Sequence, residues 1–214
     1  HITIKPAEWL SLISRLKNAT SWESLGMDAG TQRLAERLME RYASALKACN
    51  AVDFDDLILL VLELFNTDKE ALETCRKNHR YIMVDEYQDT NGKQFQLLKA
   101  LASEHQNVCV VGDDDQSIYG WRGAEIANLL HLEDHFPGIR VIKLEQNYRS
   151  NNTILKAANA VIRHNPLRKD KTLWSSKGEG PLIQLMVFET EEAEAQAVAE
   201  GIEVQRLSKR IPWN

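Results

Sequence analysis

Helical spacing of apolar positions dominates the first part of the chain. In residues 31–48, leucine or tyrosine recurs every four positions, with arginine and glutamate on the opposite face. Residues 7–17 carry a similar periodicity. The run 53–65 is strongly apolar and has aspartates at its start, where the helix dipole favours acidic groups. These patterns predict amphipathic helices that pack through their apolar faces.

The pattern changes after residue 80. Short apolar runs that end in polar groups follow one another: YIMVDE at 81–86, NVCVVGDDD at 107–115 and IRVIKLEQN at 139–147. Helical stretches near 93–103 and 124–134 lie between them. Strands that alternate with helices predict an α/β fold, in which helices cover both faces of a parallel sheet.

Beyond residue 150 the sequence predicts a helix over 151–165 and an irregular basic stretch after it. A further strand, PLIQLMVF at 181–188, precedes a helix over 190–207. The basic residues between 163 and 171 suit contact with DNA phosphates, although a solvated loop has the same composition.

Polar side chains follow each of the apolar runs between residues 81 and 147. In open parallel sheets, ligands bind outside the carboxyl ends of the strands, so we expect these side chains to meet in one crevice. The sets are Asp85, Glu86, Gln88 and Asp89; Asp113, Asp114, Asp115, Gln116 and Ser117; and Glu145, Gln146, Asn147, Tyr148 and Arg149.

The chemistry of these sets points to phosphoryl transfer. Crowded carboxylates repel one another unless a cation or a proton offsets them, and their hard oxygens suit Mg²⁺ with substrate phosphates. A neighbouring carboxylate could then orient or deprotonate a water. Gln116 could hold that water or a terminal phosphate, and Arg149 could neutralise charge that develops during transfer. An isolated acidic pair at a strand end would instead be a helix cap.

Aromatic residues follow the second set in QSIYGWRGA. Tyr119 and Trp121 flank Gly120, and Arg122 comes directly after them. Aromatic rings beside an arginine can stack on unpaired bases, a contact worth about 1–3 kcal/mol per base. The same rings could fill a core, but Gly120 and Gly123 favour an exposed loop.

The composition of the chain indicates its cellular compartment more clearly than its biochemical function. The net charge of −5 is not typical of a nucleic-acid-binding protein. It does not exclude one, because a basic binding groove can be local. The 3 cysteines include no CxxC pair, which fits a reduced, cytoplasmic compartment. No apolar run is long enough to span a membrane. The chain begins with His1, so we expect a cut or processed product.

Four segments together resemble a known family. VDFDDLILL, VDEYQDTN, VGDDDQSIYGWRGA and LEQNYRS are similar, in order and spacing, to motifs of the UvrD/PcrA/Rep-type superfamily 1 DNA helicases of bacteria, with a Rep-like context. The resemblance implies an ATP-dependent helicase. Such enzymes couple ATP hydrolysis to 3′ to 5′ translocation on single-stranded DNA and to duplex unwinding by two RecA-like domains.

The resemblance also implies residue roles at the nucleotide. Asp85 would be a Mg²⁺ ligand, and Glu86 would activate the attacking water. Gln116 would sense the γ-phosphate of ATP. Tyr148 would stack on the adenine, and Arg149 would act on the γ-phosphate as an arginine finger.

The DNA-facing roles follow from the same resemblance. Tyr119 and Trp121 would stack on bases of single-stranded DNA, and Arg122 would couple the DNA and nucleotide sites. Single strands and duplex junctions are therefore the expected partners, with no membrane.

The sequence departs from the family at the phosphate-binding loop, because GxxxxGK(S/T) is absent. We therefore expect an internal slice of a helicase that does not hydrolyse ATP at a helicase-like rate. Residues 1–50 would end a helical insertion, 51–149 would form the second part of the first RecA-like domain, and 150–214 would open the second. A partial RecA-like sheet exposes an edge or face, so either the remaining strands suffice or the chain self-associates.

Other classes stay open at this point. A metal-dependent nuclease could use the same carboxylates in a two-metal site and would cleave DNA without ATP. A non-catalytic helicase-like module would bind DNA or protein without nucleotide dependence. The order of Gln116, Tyr119, Trp121 and Arg149 argues against the nuclease, which needs none of them.

Overall fold

A computed structural model describes residues 5–18, 26 and 28–213, leaving out the side chain of Arg122. The helices near the amino terminus are α1 (Pro6–Asn18), α2 (Ala29–Ala48), α3 (Asp56–Thr67) and α4 (Lys69–Asn78). The first three confirm the helices predicted from periodicity. Helix α4 was not predicted, although its sequence carries a readable start signal, since the Asp68 carboxylate caps it by accepting from the Ala71 amide.

A buried ion pair joins α1 to the start of α3. Lys17 Nζ lies 2.7 Å from Asp53 and 2.6 Å from Asp56, and the Lys17 side chain is only 9% exposed. Burial by itself would raise the pKa of Asp53. Hydrogen bonds from Lys17 and from the Asp56 amide outweigh it, so the pKa lies below its ordinary value.

The sheet contains two parallel strands, β1 (Ile82–Val84) and β2 (Val108–Val110). Ile82 pairs with Val108 and Val84 with Val110. Helix α5 (Gly92–Ala102) makes the crossover between them, as a parallel pair requires. The α/β class with a partial RecA-like parallel sheet and flanking helices is thus confirmed.

One face of this sheet carries the core. Tyr87, Leu98, Ala102, Leu132 and Phe136 are buried there, and Ile82, Val84, Val108 and Val110 pack against them. The alternate residues point the other way, so the Met83 side chain is 78% exposed and Cys109 is also exposed. The sheet is therefore covered on one face by the described residues and open on the other.

Two of the predicted strands do not form, so these predictions were wrong. Within the described ranges, segments 139–147 and 181–188 form no sheet, apart from one isolated parallel bridge between Gln146 and Trp174. A strand is defined by its pairing with a neighbour, which apolar character alone does not supply. Leu144 and Leu185 are accordingly 80% and 88% exposed.

The helix predicted over 124–134 is two short helices, α6 (Ala127–Leu130) and α7 (Leu132–His135). They break at His131, where φ is −105° and ψ is 20°. Later helices are α8 (Asn152–Ile162) and α9 (Glu191–Lys209), which confirm the predicted pair. No helix in the described part of the chain is long and apolar enough to cross a bilayer.

The chain forms two compact units. The first contains residues up to Ile142 together with Asn165–Asp170, and the second contains Lys143–His164 and Lys171–Asn214. In the second unit, the Asn152 side chain ties the start of α8 to Ser175 through two 2.8 Å hydrogen bonds. The division at 50 and 150 into parts of RecA-like domains stays a prediction.

Candidate functional site

The chain turns sharply at the carboxyl end of β1. Glu86 adopts the left-handed conformation, with φ 49° and ψ 42°, and its amide donates to the Asp85 carboxylate at 2.9 Å. A 3₁₀ turn over Tyr87–Asp89 follows, and the Tyr87 amide donates to the Val111 carbonyl at 3.0 Å. The turn leaves both carboxylates exposed at the end of the sheet.

Gln88 links the ends of the two strands. Its side chain is 2% exposed, and its Nε2 donates to Glu86 Oε2 at 2.7 Å. Its Oε1 accepts from the Asp113 amide at 3.0 Å. Gly112 makes room for this contact, because a Cβ there would lie 2.9 Å from Gln88 Oε1. The predicted polar sets after β1 and β2 are thus brought together by a buried amide.

Asp113 extends this link to Gln116. Its carboxylate caps the 3₁₀ turn Asp114–Gln116 by accepting from the Asp115 amide at 3.1 Å. The other carboxylate oxygen accepts from Gln116 Nε2 at 2.7 Å. A continuous hydrogen-bonded chain therefore runs from Glu86 through Gln88 and Asp113 to Gln116. Sequence reasoning assigned no role to Gln88, because no local pattern marks a glutamine as buried.

The carboxylates that follow β2 are closely spaced. One oxygen each from Asp113, Asp114 and Asp115 lies within 4.8 Å of the others. Protein groups offset part of this charge: Arg168 pairs with Asp115 at 2.8 Å, and the Lys169 amide donates to Asp114 at 2.6 Å. The exposed Asp85 and Glu86 carboxylates at the neighbouring strand end present hard oxygens of the kind that Mg²⁺ prefers.

A cavity of about 310 Å³ adjoins the first turn. Its lining includes Asp85, Glu86, Tyr87 and Asp89. The Tyr87 hydroxyl and Asp89 Oδ1 are buried and have no hydrogen-bond partner among the described residues. Burial raises the pKa of Tyr87 to about 12, so the phenol stays neutral at physiological pH.

The aromatic pair lies on an exposed loop. The rings of Tyr119 and Trp121 are tilted by 55°, with centroids 6.4 Å apart, and Trp121 is 72% exposed. Trp121 lies within a 3₁₀ turn over Gly120–Arg122 that begins directly after Tyr119, and Gly123 ends this turn with a φ of 88° that favours glycine. The exposure argues against a core role for Trp121. The predicted coupling role of the Arg122 side chain lies outside what the structure describes.

Tyr148 and Arg149 belong to the second unit. Tyr148 is 73% exposed, and its hydroxyl donates to Gln146 Oε1 at 3.0 Å. Arg149 is exposed, and its amide donates to Asn147 Oδ1 at 3.0 Å. Glu86, Gln116, Tyr119 and Trp121 belong to the first unit. The expectation that the third polar set meets the other two in one crevice therefore stays a prediction.

Comparison with known families identifies the first unit. The model of the UvrD/REP helicase N-terminal domain matches residues 5–137, which is more than half of the chain. The chain belongs to the UvrD/REP helicase family. The model of the UvrD-like helicase C-terminal domain matches residues 142–212, so domains from both parts of such helicases are represented. The family resemblance seen in the sequence is therefore confirmed.

Similar individual proteins carry helicase names. The chain is 44% identical over 210 residues to "ATP-dependent DNA helicase PcrA" of Staphylococcus epidermidis, covering 96% of this chain and 29% of that protein. It is 46% identical over 183 residues to "Probable DNA helicase II homolog" of Rickettsia conorii, covering 86% and 28% respectively. "DNA helicase II" of Rickettsia typhi is 47% identical over 168 residues, covering 78% and 26%. The chain thus spans less than a third of these relatives.

Proposed function

We propose that this chain is a segment of an ATP-dependent DNA helicase that acts in the cytoplasm. The intact protein would move 3′ to 5′ on single-stranded DNA and unwind duplexes at junctions. Family membership and the helicase names of the relatives support this proposal. The observation that carries it is the hydrogen-bonded chain from Glu86 to Gln116, directly followed by the exposed rings of Tyr119 and Trp121.

The nucleotide would bind at the strand ends of the first unit. Mg²⁺, when bound, supplies charge neutralisation to ATP phosphates, and Asp85 is the residue that would hold it. Glu86 would orient the attacking water and take its proton. Gln88 supports this role, because its amide fixes one carboxylate oxygen of Glu86 at 2.7 Å. Gln116 would contact the γ-phosphate by exchanging its bond to Asp113 for one to the nucleotide.

The remaining residues with predicted roles would contact the adenine, the γ-phosphate and single-stranded DNA. Tyr148 would stack on the adenine and Arg149 would reach the γ-phosphate, since both present exposed side chains in the second unit. Tyr119 and Trp121 would stack on unpaired bases of single-stranded DNA. Arg122 follows Trp121 directly and would couple the DNA contact to the nucleotide contact.

A chimera tests the helicase proposal. The matching segment of the Staphylococcus epidermidis PcrA would be replaced by this chain, and DNA-stimulated ATP turnover and strand separation would be measured. We expect both activities in the chimera, unwinding only with a 3′ single-stranded tail, and loss of both in Glu86→Gln. A Glu63→Gln chimera, which carries the same substitution at an exposed residue of α3, is the control. Mg²⁺-dependent DNA cleavage without ATP would instead support a nuclease.

We further propose that two copies of the isolated chain associate through the open face of the sheet. Tyr81 is 83% exposed, Met83 78% and Val111 49%, whereas a parallel sheet is ordinarily covered on both faces. Sedimentation velocity should show a dimer that Met83→Lys converts to a monomer. Leu185→Lys, at an 88% exposed residue of the second unit, is the matched control. A wild-type monomer at micromolar concentration would contradict the proposal.

A further inference from the structure

A short segment of the basic stretch belongs to the first unit. Residues Asn165–Asp170 group with that unit, although their neighbours along the chain on both sides belong to the second. Within the segment, Arg168 Nε donates to Asp115 Oδ1 at 2.9 Å and its Nη2 donates to Asp115 Oδ2 at 2.8 Å. Both side chains are largely buried, with 9% and 13% exposed. Arg168 is therefore committed to a carboxylate of the protein.

The next residue adds another anchor to the same turn. The Lys169 amide donates to Asp114 Oδ2 at 2.6 Å, and Asp114 is 8% exposed. Lys169 Nζ also lies 2.8 Å from Glu133. Two consecutive residues of the segment thus hold two consecutive acids of the Asp114–Gln116 turn. A bidentate arginine fixes both the position and the plane of a carboxylate, which a single charge contact does not.

The residues proposed to contact ligands lie in the Asp114–Gln116 turn or shortly after it. Gln116 follows Asp115 directly, and Tyr119 and Trp121 come shortly after it. The carboxylates of Asp113, Asp114 and Asp115 also crowd within 4.8 Å, so their mutual repulsion would open the turn without a cation beside it. Removing Arg168 would therefore displace the turn without touching DNA or nucleotide.

We propose that Arg168 is a positioning residue that orders the Asp114–Gln116 turn through Asp115, so that Gln116 and the aromatic loop are held ready for their ligands. This inference rests on the single-stranded DNA binding proposed above. It assigns Arg168 a role different from the phosphate contact that a basic stretch suggests, because the guanidinium is already engaged by a buried carboxylate.

Single-stranded DNA binding tests the inference on the 214-residue chain. The anisotropy of a fluorescent oligothymidine of about 15 nucleotides would be followed over a series of salt concentrations. We expect Arg168→Gln and Asp115→Asn each to weaken binding about fivefold to tenfold, as when part of a stacking contact is lost. The double variant should be no weaker than either single one, and Arg168→Lys should recover part of the loss.

The salt dependence separates positioning from direct phosphate contact. A lost phosphate contact reduces the slope of log K against log salt by about 0.7 on single strands. We expect Arg168→Gln to leave this slope unchanged. Arg163→Gln removes one positive charge from an exposed residue of the same stretch and is the matched control. A reduced slope for Arg168→Gln, combined with tighter binding by Asp115→Asn, would overturn the inference.

Hydrogen exchange tests the ion pair without DNA. We expect the part-buried Arg168 Nε–H to exchange far more slowly than the exposed Arg163 Nε–H, which donates to the Asn159 carbonyl at the longer distance of 3.3 Å. We also expect the Asp115 and Gln116 amides to exchange faster in Arg168→Gln. Equal exchange at the two arginines would overturn the inference whatever the DNA result. If the wild-type chain binds no oligothymidine, the proposed DNA binding fails, and these exchange rates alone decide whether Arg168 orders the turn.

Discussion

The backbone of Glu86 carries local strain at the proposed catalytic carboxylate. Its φ of 49° and ψ of 42° lie in the left-handed region, which costs a non-glycine residue about 1–3 kcal/mol. Hydrogen bonds to Asp85 and from Gln88 hold the conformation. The left-handed backbone prevents Glu86 from continuing the strand, and the Asp85 and Glu86 side chains are exposed.

This strain predicts an inverted order of stability among variants of Glu86. Glu86→Gly should have a free energy of unfolding about 1 kcal/mol higher than Glu86→Ala, because only glycine adopts the left-handed region freely. Urea unfolding followed by circular dichroism measures the difference. At the exposed Gln96 inside α5, the alanine variant should be the more stable by a similar amount. An alanine variant that is also more stable at position 86 would refute the strained conformation.

Tyr87 gives a prediction in alkaline solution. Its pKa is raised by burial from the usual 10.0 to about 12, so the folded state holds the phenol proton more tightly than the unfolded state. The corresponding stability is complete below pH 10 and is lost as the pH rises towards 12, by about 3 kcal/mol. Tyr87→Phe should lack this loss. Unfolding free energies at pH 9 and 11.5 test it, and parallel losses in both proteins would contradict it.

Among the secondary-structure elements, the sequence predicts best those that depend on a local pattern of apolar and polar residues. Strands β1 and β2 follow from short apolar runs, and helices α1, α2 and α9 follow from periodicity and acidic or polar starts. The segment at 181–188 has the same apolar character, yet it forms no strand among the described residues because no neighbour pairs with it. Pairing is a long-range property that no window of sequence contains.

The candidate site shows the same division. The polar side chains that follow β1 and β2 were predicted to lie at the same end of the sheet, and they do, because both strands run in the same direction. No local sequence pattern predicts that the buried Gln88 joins them, or that Arg168 pairs with Asp115 from 53 residues away along the chain. Both contacts depend on which side chain is desolvated, and only the packed fold decides that.

Helix α5 depends on a capping box that fixes where the first turn of the site ends. The Asn91 carboxamide accepts from the Lys93 and Gln94 amides at 3.0 and 2.9 Å, and Gln94 Oε1 accepts from the Asn91 amide at 2.9 Å. Asn91→Ala should lower the free energy of unfolding by about 1 kcal/mol. Gln96→Ala, at an exposed helical position, should change it little. Equal effects of the two substitutions in urea unfolding would argue against the cap.

For the whole molecule, the proposed machinery is divided between two units. Glu86, Gln116 and the aromatic loop belong to the first, and Tyr148 and Arg149 belong to the second. The family models divide the chain similarly, with one ending at 137 and the other beginning at 142. Substitutions that test Glu86 and Gln116 therefore change the first unit, and those that test Tyr148 and Arg149 change the second.

The final prediction concerns ATP turnover by the whole chain. The sequence contains no GxxxxGK(S/T), so it lacks the lysine and hydroxyl that such a loop brings to the phosphates and to Mg²⁺. Glu86 and Gln116 could then position a water and a terminal phosphate only in ATP that is poorly held. We expect no turnover above background with Mg²⁺, either with or without single-stranded DNA, in a coupled assay that detects less than one turnover per minute.

Glu86→Gln distinguishes the sources of any signal that does appear. It keeps the size of the side chain and an oxygen that can accept from Gln88, but it cannot take a proton from water. Turnover that persists in Glu86→Gln would come from a contaminating ATPase. Turnover that DNA stimulates and Glu86→Gln abolishes would show that other residues of this chain hold the phosphates.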